Sequence, residues 1–137
     1  MKVNKEIQKL LNNLWGATID SIDFQLLSDK ISLMLSINEN EIITKNKLEF
    51  REISSYYFLK DIGDDRFNFD EIEKIDYLEL TSIDYYPEGI GMIKIIGEEE
   101  WINQYYSNAN FALEVWNSLL FIEAKILILD GQLFKLR

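Results

Sequence analysis

The 137-residue chain contains no cysteine and no histidine. Without thiols there is no disulfide framework, no thiolate zinc site and no sulfur nucleophile. Without imidazole the chain lacks the commonest metal ligand and the side chain that titrates near neutral pH, which excludes serine–histidine and cysteine–histidine mechanisms. Glycine-rich phosphate loops are missing too: Gly89-Ile90-Gly91 is followed by Met92-Ile93-Lys94 and completes no GxGxxG, and no Walker glycine–lysine loop occurs. No apolar run is long enough to span a membrane, because the longest, Leu119 to Leu129, is cut by Glu123 and Lys125. The start, Met1-Lys2-Val3-Asn4-Lys5-Glu6, has no apolar stretch ahead of a small-residue cleavage site. The expectation is a cytoplasmic protein with no cofactor, no metal, no catalytic residues and no contact with membrane.

What remains is a globular balance, 47% hydrophobic and 28% charged, interrupted by one proline and six glycines. That length and balance suit a single domain, residues 1–137, with a core of its own. Fourteen basic against twenty-four acidic residues give a net charge of −10. Such a field repels phosphate backbones, so no nucleic-acid partner is expected, and it attracts basic proteins. It also serves plain solubility.

Val3, Ile7, Leu10, Leu11 and Leu14 recur at helical spacing between Asn4, a capping residue, and Gly16, a stop. From Thr18 the period changes. Thr18 to Phe24 and Ile31 to Ile37 read as strands joined by a turn at Leu26 to Asp29, and Lys47 to Ile53 as a further strand after a turn at Asn38 to Asn40. Asp70 and Glu73 have capping-box spacing. Tyr77 to Tyr85 and Ile90 to Ile96 read as a hairpin around Pro87-Glu88-Gly89. Glu98-Glu99-Glu100 ahead of Trp101, Ile102 and Tyr105 suggests a short second helix.

The last third carries the clearest pattern. Phe111 to Trp116 and Leu119 to Leu129 flank Asn117-Ser118, and pairing Trp116 with Leu119 puts Phe111, Leu113, Val115, Leu120, Ile122, Ala124, Ile126 and Ile128 on one apolar face. Asp130-Gly131 is another hairpin signal, with Leu133 to Leu136 returning. The expected fold class is α+β: a mainly antiparallel sheet with an N-terminal helix and a short second helix packed on it.

Functional residues follow from charge and aromatics. Tyr56-Tyr57-Phe58, Tyr85-Tyr86 and Tyr105-Tyr106 are doubled, so one ring of each set packs inward while its neighbour faces out. Beside acidic clusters, Tyr57, Asp61, Asp64, Asp65, Tyr86, Glu98, Glu99 and Tyr106 form the candidate partner-binding set for a basic protein. Asp61, Asp64, Asp65, Asp70, Glu71 and Glu73 fail the calcium-loop template, since Gly63 and Phe67 take ligand positions and Ile72 stands where the bidentate glutamate belongs. Two alternatives stay open. Glu114 and Glu123 beside Trp116 and Phe121 would suit a carbohydrate-directed carboxylate pair, and the apolar C-terminal strands would suit a homodimer.

Leu14-Trp15-Gly16-Ala17-Thr18-Ile19-Asp20-Ser21-Ile22, Ile31 to Ile37, and Phe111 to Gly131 together resemble small bacterial proteins of the YxiG-like kind. The resemblance spans most of the chain on ordinary strand patterns around one Trp-Gly pair, and it carries over no catalytic residue. It implies by analogy an association with toxin neighbourhoods, in which small acidic proteins act as immunity proteins.

Overall fold

The computed structural model describes residues 2–59, 78–92, 106–115 and 118–137. Their elements are α1 (Lys2–Asn12), β1 (Ala17–Gln25), a 3-10 turn (Leu26–Ser28), β2 (Lys30–Glu39), β3 (Ile42–Leu59), β4 (Leu78–Tyr85), β5 (Gly91–Met92), β6 (Tyr106–Ser107), β7 (Phe111–Val115), β8 (Ser118–Leu129) and β9 (Gln132–Lys135). Antiparallel pairing runs β3-β2-β1-β4-β7-β8, and β8 pairs back onto β3, so these strands close a ring. Closure removes the sheet edges that otherwise invite foreign strands. β9 joins the free part of β8 beyond β7.

The strands alternate as a half-buried sheet must. Ile31, Leu33 and Leu35 of β2, Leu48 and Phe50 of β3, and Ile83 and Tyr85 of β4 all point inward. Phe111 of β7 lies between two rings at the centre, edge-on to Phe50 at 4.9 Å and stacked on Tyr85 at 5.0 Å. The helical stripe predicted near the N-terminus closes one side, burying Ile7, Leu11 and Leu14 in the same core. Gly16, at φ +86°, then turns the chain into β1 and donates its N–H to the Leu80 carbonyl at 2.7 Å.

Two carboxamide side chains complete the ring where backbone pairing runs out. Past Ala17, β1 no longer covers the edge of β4, and Gln8 of α1 takes its place. Its Oε1 accepts the Tyr85 N–H at 2.8 Å, and its Nε2 lies 3.4 Å from the Ile83 carbonyl. The Trp15 indole N–H adds a hydrogen bond to the same carbonyl at 3.0 Å. On β8, Asn110 fills the gap between β7 and β9: its side chain donates to the Ala124 carbonyl at 2.8 Å and accepts the Ala124 N–H at 3.0 Å. A carboxamide presents a carbonyl acceptor beside an N–H donor, as a peptide unit does, so it can stand in for a missing strand residue.

The α+β expectation is corrected to a sheet-dominated fold. Among the described residues α1 is the one α-helix, and the sheet is more extensive than the strand signals suggested. β3 runs over Ile42–Leu59 where a strand over Lys47 to Ile53 was expected. Its alternation is interrupted at Glu52, which has φ +52° next to a register shift between Ile53 and Ser55. The β2–β3 turn falls at Asn40-Glu41, both with positive φ, while Asn38 and Glu39 still pair with Ile43 and Ile42. The expected second helix, Glu98 to Tyr105, lies outside the described residues.

The hairpin expected around Pro87 is also corrected. The turn is there, with Gly89 N–H on the Tyr86 carbonyl at 3.0 Å; β4 pairs with β1 and β7, Gly91 and Met92 pair with β6, and the rest of the expected second arm, residues 93–96, lies outside the described residues. Asn110 and Ala109 carbonyls accept the Tyr86 and Ile90 N–H groups and draw that chain toward residues 109–110. In the C-terminal hairpin Val115 pairs with Ser118, a slip of two from the expected register. A slip of two preserves the facing, so Phe111, Leu113, Leu120, Ile122 and Ala124 are buried as expected. Beyond Ala124, opposite Glu52, the inward series moves to Leu127 and Leu129, leaving Ile126 and Ile128 half-buried. The Asp130-Gly131 turn and the returning last strand are both observed.

Candidate functional site

The outward face of β4, β7 and β8 holds a cleft of about 330 Å³. Its floor is set by strand register: Ser82 is opposite Glu114, Asp84 opposite Ala112, Ala112 opposite Phe121, and Glu114 opposite Leu119. Asp84 and Glu114 are therefore diagonal neighbours on adjacent strands. Tyr86, 39% exposed, stands at the end of β4, and Ile90 returns across the turn. Phe121 is 4% exposed, packed with Ala109 and with partly buried Ala112, Leu119 and Ile90, and stacked on Tyr57 at 4.9 Å. The cleft thus joins an apolar, aromatic wall to two carboxylates.

Among the described residues neither carboxylate has a cationic partner. Asp84 Oδ1 receives a 3.4 Å contact from Gln8 Nε2, and Glu114 Oε2 receives the Ser82 hydroxyl at 3.4 Å. Burial pushes the Asp84 carboxyl above the usual range, an effect that the Gln8 amide only partly offsets. Burial likewise raises Tyr86, and the nearby Asp84 charge adds to it. Among the described residues no lysine or arginine lines the cleft. Elsewhere on the molecule the pattern is different: Glu49 binds Lys30 at 3.2 Å and Arg51 at 2.8 Å, Asp20 binds Lys45 at 3.0 Å, and Glu123 binds Arg137 at 2.8 Å.

A second hollow, of about 290 Å³, opens at the end of the ring between the 3-10 turn and β3. Phe24 meets Tyr56 there at 5.2 Å, and Leu26, Leu27 and Phe58 are exposed nearby. Its lining holds charges of both signs, Asp29 and Lys30, with Lys30 already engaged by Glu49.

Of the residues expected to bind a partner, Tyr86 lines the cleft and Tyr57 supports it from behind Phe121. Tyr106 lies in β6, where it pairs with Met92. Asp61, Asp64, Asp65, Glu98 and Glu99 fall outside the described residues, as do Asp70, Glu71, Glu73 and Trp116. Glu114 and Glu123 do not form a carboxylate pair. Glu123 lies four residues beyond Leu119, roughly 13 Å along the strand, and its carboxylate is held by Arg137 and by the Ser55 hydroxyl at 3.1 Å. Ser82, Asp84 and Gln8 were not singled out from the sequence. Period-two spacing in the strand Tyr77 to Tyr85 does place Ser82, Asp84 and Tyr86 on one face, whereas nothing local marks Gln8.

Among the described residues no helix is long and apolar enough to cross a membrane. The sequence model of the YxiG-like protein family matches residues 7–134. The chain is also similar to a Bacillus subtilis (strain 168) protein called Uncharacterized protein YxiG, at 32% identity over 123 residues that cover 87% of this chain and 83% of that one. The chain belongs to the YxiG-like family.

Proposed function

We propose that this YxiG-like chain is a protein-binding module that captures a basic protein on the β4–β7–β8 face. The observation that carries the reading is the cleft itself: two carboxylates, Asp84 and Glu114, set against aromatic and aliphatic walls with no cation beside them among the described residues, on a chain of net charge −10. An apolar centre with charged groups left for the partner is how specific interfaces are built. In its narrower form the partner is a basic toxin and the chain its immunity protein, in line with the analogy drawn from the family resemblance.

The test is a pull-down from the native host with the tagged full chain at low and high salt, beside the Asp84→Asn, Glu114→Gln double variant. A stoichiometric basic partner that is lost at high salt and lost from the variant supports the reading. A partner held equally by both proteins at both salt concentrations contradicts it. For the narrower form, the recovered partner is expressed alone and with this chain. Growth arrest relieved by co-expression supports an immunity role, and arrest unaffected by co-expression contradicts it.

A further inference from the structure

We infer that the β4–β7–β8 cleft is an arginine-side-chain site: the guanidinium of a partner bridges Asp84 and Glu114 while its alkyl stem lies along Phe121 and Leu119. This rests on the basic-partner reading and specifies which basic side chain the site takes.

Three features select arginine over lysine. The two carboxylates project from adjacent strands at diagonal register positions, so they present a divided acceptor rather than one point of negative charge. A guanidinium offers five donors in a planar fork and can serve both, whereas an ammonium is a compact charge that engages them less completely. Asp84 and Glu114 each retain acceptor capacity, since among the described residues their partners are single contacts at 3.4 Å from Gln8 and Ser82. The walls fit the rest of the side chain. Tyr86 stands beside Asp84, and Phe121 forms the apolar back; aromatic faces attract a guanidinium, which is also less strongly hydrated than an ammonium and gives up water to a partly buried site more readily.

Gln8 is a positioning residue in this scheme. The amide that reaches Asp84 Oδ1 also accepts the Tyr85 N–H, so α1 fixes the strand on either side of the carboxylate. Asp84 is thereby held in place by a neutral group that leaves its charge for the ligand.

The test is an amide NMR titration of the full chain with N-acetyl-L-arginine methylamide, with the citrulline and lysine counterparts as controls. Citrulline keeps the shape and loses the charge, and lysine keeps the charge and loses the fork. Expected are saturable shifts at residues 82–86 and 112–114 with the arginine probe, at least fivefold weaker binding of the lysine probe, and none of the citrulline probe. Asp84→Asn and Glu114→Gln should each weaken the arginine probe about five- to tenfold. Glu114→Gln keeps the test readable if replacing Asp84 disturbs Gln8. Equal binding of arginine and citrulline probes, or unchanged binding in both variants, overturns the assignment. Equal binding of arginine and lysine probes overturns the preference for arginine but leaves the basic-partner reading standing, and that reading falls separately through the pull-down.

Discussion

Glu49 and Asp84 both project from the outward face of one sheet, yet they meet opposite surroundings. Glu49 is 4% exposed and saturated: Lys30, Arg51 and the Ser32 hydroxyl all reach its oxygens. Burial alone would raise its carboxyl, but the Lys30 hydrogen bond and the Arg51 and Lys30 charges outweigh it and leave the group below its ordinary 4.5. Asp84 has one weak amide contact and is pushed up by burial instead. A carboxylate whose acceptors are filled from within serves the fold, and a partly buried one with no cation beside it among the described residues is the kind of group the proposed binding role would use. Asn110 is the neutral counterpart of Glu49, fully buried with both ends of its amide engaged.

If that division holds, the largest loss of stability should come from the saturated side. Asn110→Ala strands the N–H and carbonyl of Ala124 and should cost roughly 2–4 kcal/mol in chemical denaturation. A cost under about 1 kcal/mol would mean that the gap between β7 and β9 closes without it. Glu49→Ala should follow at roughly 2 kcal/mol, less than the about 3–5 of a wholly buried pair, because the half-exposed Arg51 side chain can return to water. Its contribution should also depend on acid. A depressed carboxyl stabilises above its unfolded value and loses that stabilisation as pH falls through the folded value, so the difference between wild type and Glu49→Ala should shrink below about pH 4.5.

The unsaturated side should respond in binding rather than stability. Asp84→Asn and Glu114→Gln should each weaken a basic partner about tenfold, near 1.4 kcal/mol, measured by calorimetry, while changing stability by no more than about 0.5 kcal/mol. For Asp84→Asn the stability change should be upward at neutral pH. A raised carboxyl carries a penalty above its folded value that vanishes as pH falls below the ordinary 3.8, so the variant's advantage should disappear there. Glu123→Gln should do least. It loosens one exposed ion pair with Arg137, costs about 0.5 kcal/mol or less, and should leave partner affinity unchanged. A binding loss there would move the interface toward the chain terminus.

Much of the sheet was legible wherever neighbours along the chain decide structure. The helical stripe of Ile7, Leu11 and Leu14, the alternation over Ile31 to Ile37 and the inward row from Phe111 to Ala124 were all readable as spacing. The ring was not, because its closing pairs join residues far apart in sequence, such as Leu48 with Leu129 and Ala17 with Leu80, and no local pattern encodes a partner at that distance. β3 was read short at both ends: Ile42 to Asn46 forms the arm of a hairpin with β2 whose pairing is not written in local spacing, and past Ile53 the register shift beside left-handed Glu52 breaks the alternation. The site was half legible. Of the residues in the proposed site, aromatic doublets picked out Tyr86 and Tyr57, and net charge motivated the proposal of a basic partner, but Asp84 was not singled out, because its lack of a cation among the described residues is a matter of packing.

Carboxyl-carbon NMR titration of Glu49 and Asp84 in the full chain tests the contrast most directly. The account predicts a midpoint for Glu49 below 4.5 and one for Asp84 above 3.8 that falls when the arginine probe is added. An Asp84 midpoint at or below its ordinary value, unmoved by the probe, would contradict the claim that this carboxylate is held ready for a cation from outside.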